Sequence, residues 1–107
     1  MEANRLVIAG LLVDIGSRRV SPAGIPQRRF RIEHRSRQVE AGTARDVRCR
    51  LTVKAAGAEL DARLAELAVG DRVEVEGFLA RSSFRDGDAS IELHATRLQR
   101  LDDTANG

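Results

Sequence analysis

Two stretches of strict two-residue alternation constrain this chain more than anything else in it. In residues 27–37, Phe30, Ile32, His34 and Ser36 fall on one side, and Arg29, Arg31, Glu33, Arg35 and Arg37 fall on the other. Residues 46–55 repeat the pattern, with Val47, Cys49, Leu51 and Val53 alternating with Arg48, Arg50, Thr52 and Lys54. Successive side chains of a strand point to opposite faces, so each stretch is read as a strand with an apolar side and a basic side. Residues 38–44, holding Glu40 and Gly42, read as the hairpin loop between them. Paired antiparallel with their apolar faces on one core, the two strands place both basic rows on a single outer surface. Like charges opposed across a ladder are destabilising. The arrangement needs a reason, and an anionic ligand on that surface is one.

The rest of the chain supplies the other elements. Residues 5–15 are almost continuously apolar and read as a first strand buried on both faces, with Gly10 at a bulge or bend. The segment VSPAGIP, residues 20–26, holds two prolines and a glycine and reads as a turn into the second strand. After Gly57 the period changes: Leu60, Leu64 and Leu67 stand at i, i+4 and i+7, which predicts a helix of about three turns. So short a helix is not stable alone and is expected to plug one end of a sheet. Residues 72–80 read as a fourth strand with Val73, Val75, Gly77 and Leu79 inward. Asp86-Gly87 is a hairpin signal, and residues 90–101 form a fifth strand. The fold class is thus all-β: five strands with one short helix between the third and fourth, the order of the OB-fold barrel. That barrel spans residues 1–101, with a polar tail over 102–107. Its second and third strands and adjoining loops are the surface that takes single-stranded nucleic acid in this architecture.

Composition narrows the function. At 107 residues and 11.7 kDa the chain is one domain. No apolar run approaches the roughly 18 to 20 residues a membrane span requires. Glu2 and Asp14 bound the N-terminal apolar stretch in a way that does not match a signal peptide, so a cytoplasmic protein is expected. Cys49, the only cysteine, excludes an internal disulfide; in phase with Val47 and Leu51, it reads as a small buried hydrophobe. His34 and His94 have no partners at metal-ligand spacing. No nucleophile–base set and no glycine-rich phosphate loop is present, so the chain reads as a binding protein without cofactor rather than an enzyme. Its net charge of +2 conceals two opposed halves. Residues 1–54 hold twelve cations against five acids, and the remainder six against eleven. Seventeen of the eighteen cations are arginine, whose planar group both pairs with phosphate and stacks on bases.

The words NRLVIAG (4–10), VSPAGIP (20–26), FRIEHRS (30–36), EAG (40–42), VGDRVEVEGFL (69–79) and LHA (93–95) together resemble the PriB family of bacterial primosomal proteins, over nearly the whole chain and with matching spacing. The resemblance implies a homodimeric OB-fold protein, related by fold to the single-stranded-DNA-binding protein SSB. Such a protein binds single-stranded DNA and assists the PriA helicase, with further primosome proteins, in restarting replication. It carries Arg19, Arg35 and Arg45 over as DNA contacts, together with Arg85 in the hairpin between the fourth and fifth strands. This chain departs from the pattern where relatives can carry an aromatic residue next to the cysteine, because it has Arg48 there. It also has Ser83 and Ser90 where they can carry lysines, and Asp86 and Asp88 make the hairpin less basic still.

The basic rows add Arg29, Arg31, Arg48, Arg50 and Lys54 to the candidate DNA-binding residues, by the logic of counterion release. Phe84, in a polar hairpin, either stacks on a base or packs on its own loop. Phe30 and Phe78 read as core and supporting-surface residues. The apolar first strand, through Leu6, Ile8, Leu11 and Val13, is the expected dimer interface, since a small barrel with no disulfide has surface left to bury. Two other readings stay open: an adaptor for the primosomal helicase with weak DNA binding, and an OB protein for RNA. The 2′-hydroxyl contact that separates RNA from DNA leaves no mark in the sequence.

Overall fold

The structure, a computed structural model, describes residues 1–82 and 90–102. Its elements in chain order are β1 (Leu6–Ile15), β2 (Arg19–Val20), β3 (Pro26–Glu40), β4 (Thr43–Ala56), α1 (Ala58–Ala65), β5 (Arg72–Arg81) and β6 (Ile91–Arg100). The strands run in the order β1-β5-β6-β4-β3-β2, and a further pairing of β1 with β3 closes the five long strands into a barrel. Only β4 and β6 lie parallel; the other pairs are antiparallel. α1 follows the third long strand and precedes the fourth, as the 3.6-residue period required.

The barrel interior is built from the inward half of each alternation. Leu12, Phe30, Ile32, Val53, Val73, Val75 and Leu93 are fully buried, and Leu60 and Leu64 of α1 close the end of the core. Phe30 is thus a core residue, as its phase predicted. The helix has eight residues and two turns rather than three. Its end is tightened by bonds from Glu66 N–H to the Arg63 carbonyl and from Leu67 N–H to the Leu64 carbonyl, so Leu67 packs against the core from beyond the last turn.

Four further expectations are corrected. The β3–β4 connection is not a seven-residue loop: pairing runs out to Glu40 opposite Thr43, and only Ala41 and Gly42 turn the chain. Both have positive φ, 52° and 78°, the geometry whose twist matches a two-residue hairpin. Secondly, β1 is not buried on both faces. Gly10 and Leu12 are buried, whereas Val7 and Leu11 are exposed, because a barrel strand has only one interior side. Thirdly, Cys49 is exposed and Val47 only half-buried, since the long hairpin outruns the barrel and its distal apolar face is not covered by the core of the described residues. Fourthly, Leu79 lies outside the core, while Val73, Val75 and Gly77 point inward as expected.

Candidate nucleic-acid interface

The register of β3 and β4 decides which charges meet. Arg35 opposes Arg48, Glu33 opposes Arg50 and Arg29 opposes Lys54, so both basic rows share the outer surface of the barrel. The repulsion expected there is relieved within the chain. Glu33 stands among three arginines, with Arg48 Nη2 at 3.2 Å, Arg50 Nη2 at 3.2 Å and Arg35 Nε at 3.6 Å from its carboxylate. Its side chain is only 14% exposed. Desolvation alone would push its pKa up, but the charges of Arg48 and Arg50, with their hydrogen bonds, outweigh this and hold it below the ordinary value. The cluster of three guanidinium groups and one carboxylate keeps a net positive charge. An anionic ligand is therefore not needed to explain why the ladder forms.

Other predicted cations also have acidic partners. Arg31 pairs with Asp14 at 3.1 Å, Arg45 with Glu40 at 2.7 Å and Arg37 with Asp46 at 3.2 Å, all at solvated positions where such pairs leave the guanidinium available for exchange. Arg29 differs. It grips Glu92 in two places, Nε to Oε2 at 2.9 Å and Nη2 to Oε1 at 3.0 Å, and the Glu92 side chain is 3% exposed. The hydrogen bond from Arg29 lowers the Glu92 pKa against the cost of burial, with help from the charges of Arg29, His94 and Lys54. The same bond raises that of Arg29.

At the foot of the hairpin, Arg19, Arg28, Arg29 and Lys54 line a cleft of about 360 Å³ with Gly16, Ser17 and Gln27. Arg28 is oriented by donating Nε–H to the Gly16 carbonyl at 2.6 Å. Arg19 and Lys54 form no ion pair at salt-bridge distance among the described residues. Positive potential is thus least compensated at this end of the rows. Arg28 and Ser17 were not singled out from the sequence; Arg28 falls out of phase with the outward arginines and is placed here by the approach of the Gly16 backbone.

One neighbour of the cleft was read from the sequence only as a supporting-surface residue. Phe78 on β5 is opposite His94 on β6, His94 is opposite Lys54 on β4, and Lys54 is opposite Arg29 on β3. Directly opposed residues share a face, so these four side chains form one row across the outside of the barrel. The Phe78 and His94 rings stack with centroids 5.2 Å apart and planes at 29°. Phase alone puts Phe78 outward, since Gly77 points in, but only the parallel β4–β6 pairing brings it beside the cations.

Phe84 and Arg85 lie outside the described residues. Of the expected interface residues, Leu6, Ile8 and Val13 are half-buried and Leu11 is exposed. Along residues 6–10, β1 pairs with β5 on one edge only; on the other, the His34 ring bridges the Ala9 carbonyl, 2.7 Å from Nδ1, and the Ser36 hydroxyl, 2.8 Å from Nε2. Among the described residues, no three His, Cys, Asp or Glu side chains converge where a metal ion would sit.

A closed barrel of five long strands with one short helix between the third and fourth defines the class as OB-fold proteins. Residues 4–97 match the model of a family described as another single-strand binding protein family. The replication restart protein PriB of Photorhabdus laumondii is 41% identical over 95% of this chain and 97% of its own, and that of Proteus mirabilis 42% over the same shares. A solved structure of PriB from Ralstonia solanacearum superposes with a TM-score of 0.80 at 28% identity, over 94% of this chain and 100% of that one. The chain belongs to the PriB family of replication restart proteins, a family of binding proteins rather than enzymes.

Proposed function

We propose that the chain binds single-stranded DNA on the outer face of β3 and β4, as a homodimer, and assists the PriA helicase during replication restart in the cytoplasm. The observation that carries this reading is the alignment of cations on one outer surface, from the Arg19–Lys54 cleft through Arg31 to the Arg35–Arg48–Arg50 cluster, where they outnumber Asp14 and Glu33. Guanidinium groups on exposed positions exchange their carboxylate partners for phosphate oxygens and release counterions, with little side-chain equipment for reading base edges. Family membership, and the naming of its relatives as replication restart proteins, supports the cellular role.

A second reading, a helicase adaptor that holds DNA weakly, is favoured by one observation: Glu33, Glu40 and Asp46 neutralise much of the distal hairpin. Titration of labelled oligo-dT at several salt concentrations separates the two. The DNA-binding reading expects a log–log slope of about −0.7 per phosphate neutralised. Absence of binding at low salt would leave the adaptor. The same titration with an RNA strand of equal length decides between the two nucleic acids.

A further inference from the structure

Phe78 is the one large aromatic side chain among the described residues that the core does not use. It is 41% exposed, in contrast to Phe30 at 1%. Leaving an aromatic ring on an open sheet face forgoes the burial that makes such rings favourable in a fold. Three features give this ring a defined setting. It is stacked on His94, which fixes its plane. Gly77, immediately before it, stands where β5 shifts register against β6, and a Cβ there would collide with the His94 carbonyl. The glycine is what lets the two strands close up, so the ring pair is built on a rigid part of the barrel. The row then continues to Lys54 and Arg29, the latter locked by its double bond to buried Glu92, and onward into the basic cleft.

We infer that the Phe78–His94 pair is a base-stacking platform in the nucleic-acid site, with Lys54 beside it taking the phosphate that flanks the stacked base. The inference rests on the single-strand reading above and adds a route for the ligand: across β6 from the cleft, as well as along the hairpin. Phe78 and Lys54 lie two strand spacings apart, about 10 Å, and a lysine stem reaches over part of that distance. Every base offers a π-face, so a platform of this kind needs no particular sequence, in keeping with a chain that has few groups for base-edge recognition. The occupant is a single-stranded nucleic acid rather than an apolar protein segment because the ring's neighbours in the row are an imidazole, Lys54 with no ion pair at salt-bridge distance among the described residues, and Arg29, whose carboxylate partner Glu92 is itself buried.

The test uses the intact chain and three variants, with folding followed by circular dichroism. Phe78→Ala should weaken binding of labelled oligo-dT by roughly 5- to 140-fold, since a stacked base is worth about 1–3 kcal/mol by alanine substitution. The salt slope should not change, because no phosphate contact is lost. On a strand of the same length made of abasic sites, Phe78→Ala and the wild type should bind equally. Phe78→Leu keeps an apolar cover over His94 without a flat ring and should lose affinity as Phe78→Ala does. Phe78→Trp should retain affinity, and oligo-dT should quench its fluorescence; the chain has no other tryptophan and no tyrosine, so the signal reports this position alone. If Phe78→Ala does not fold, the quenching by itself decides. Wild-type-like binding by Phe78→Leu, an equal loss on the abasic strand, or an unquenched indole at saturation would overturn the platform while the phosphate-binding face stands. Failure of the wild type to bind any single strand removes both.

Discussion

Glu33 holds more of the site together than any single arginine. It is the one acid in the outward row of β3, and Arg35, Arg48 and Arg50 converge on it. Glu33→Gln is expected to raise affinity for oligo-dT at low salt by a few-fold and to steepen its salt dependence, because three guanidinium groups then face the phosphates without an internal competitor. The same change should lower stability, read as a fall in melting temperature. Arg48, which opposes Arg35 in the ladder, is tested beside it. Arg48→Ala should cost about 1 kcal/mol or more of binding across all sequences, whereas Arg63→Ala on α1 should cost nothing. Arg48→Trp that retains affinity with a flatter salt dependence would show a base stacking there; a loss equal to that of Arg48→Ala would mark the contact as electrostatic only.

Glu92 gives the residue scale its pH dependence. Its folded pKa is lowered, first by the hydrogen bond from Arg29, so its contribution is fully present above the unfolded value of about 4.3 and is lost as pH falls through the lower folded value. Urea midpoints should therefore fall more steeply between about pH 5 and 3 in the wild type than in Glu92→Gln. At pH 7 the variant should be less stable by about 1 kcal/mol. That figure is at the low end for a broken pair because Arg29, 41% exposed, keeps much of its hydration.

Among the elements, the β3–β4 hairpin and the β5–β6 pair divide the work. The first raises the arginine rows beyond the barrel on a turn of only two residues, which brings Arg45 and Asp46 into the ladder opposite Gln38 and Arg37. The second sets the outer row through Gly77. Gly77→Ala is expected to destabilise the barrel by about 1–3 kcal/mol or more, since the atom in the way is backbone and cannot swing aside. Thermal unfolding of the variant measures it; a melting temperature equal to the wild type would mean that the strands tolerate separation at this point.

On the scale of the molecule, one chain leaves surface that a barrel of this size does not ordinarily expose. Val7 and Leu11 on β1 and Val39 near the hairpin tip are open to solvent, Cys49 is uncovered, and residues 6–10 of β1 present an edge held mainly by His34. An exposed strand edge beside apolar side chains is a template for pairing with another chain. Light scattering should report about twice the 11.7 kDa of one chain at micromolar concentration. A mass of one chain would overturn the dimer and leave these side chains unexplained. Pairing through β1 would also place two basic hairpins in one particle, and tethered sites of that kind gain affinity on long strands without new contacts.

By itself the sequence determined the strands, the helix and the sign of the outer surface. Phe30, Ile32 and Val53 alternate with arginine and lysine, and Leu60 and Leu64 stand one helical turn apart, so the inward and outward sides of each element are local facts. What each outward side chain meets is not local. That Glu33 pairs with three arginines, that Arg29 locks onto Glu92 sixty-three residues away and that Phe78 joins a row with Lys54 follow from registers between strands distant in the chain. The exposure of Cys49 and the two-residue turn at Ala41-Gly42 also escaped the pattern. Alternation carries the same signal whether a strand ends over the core or runs past it, and only the closed barrel, with its finite depth, decides where the apolar face stops being covered.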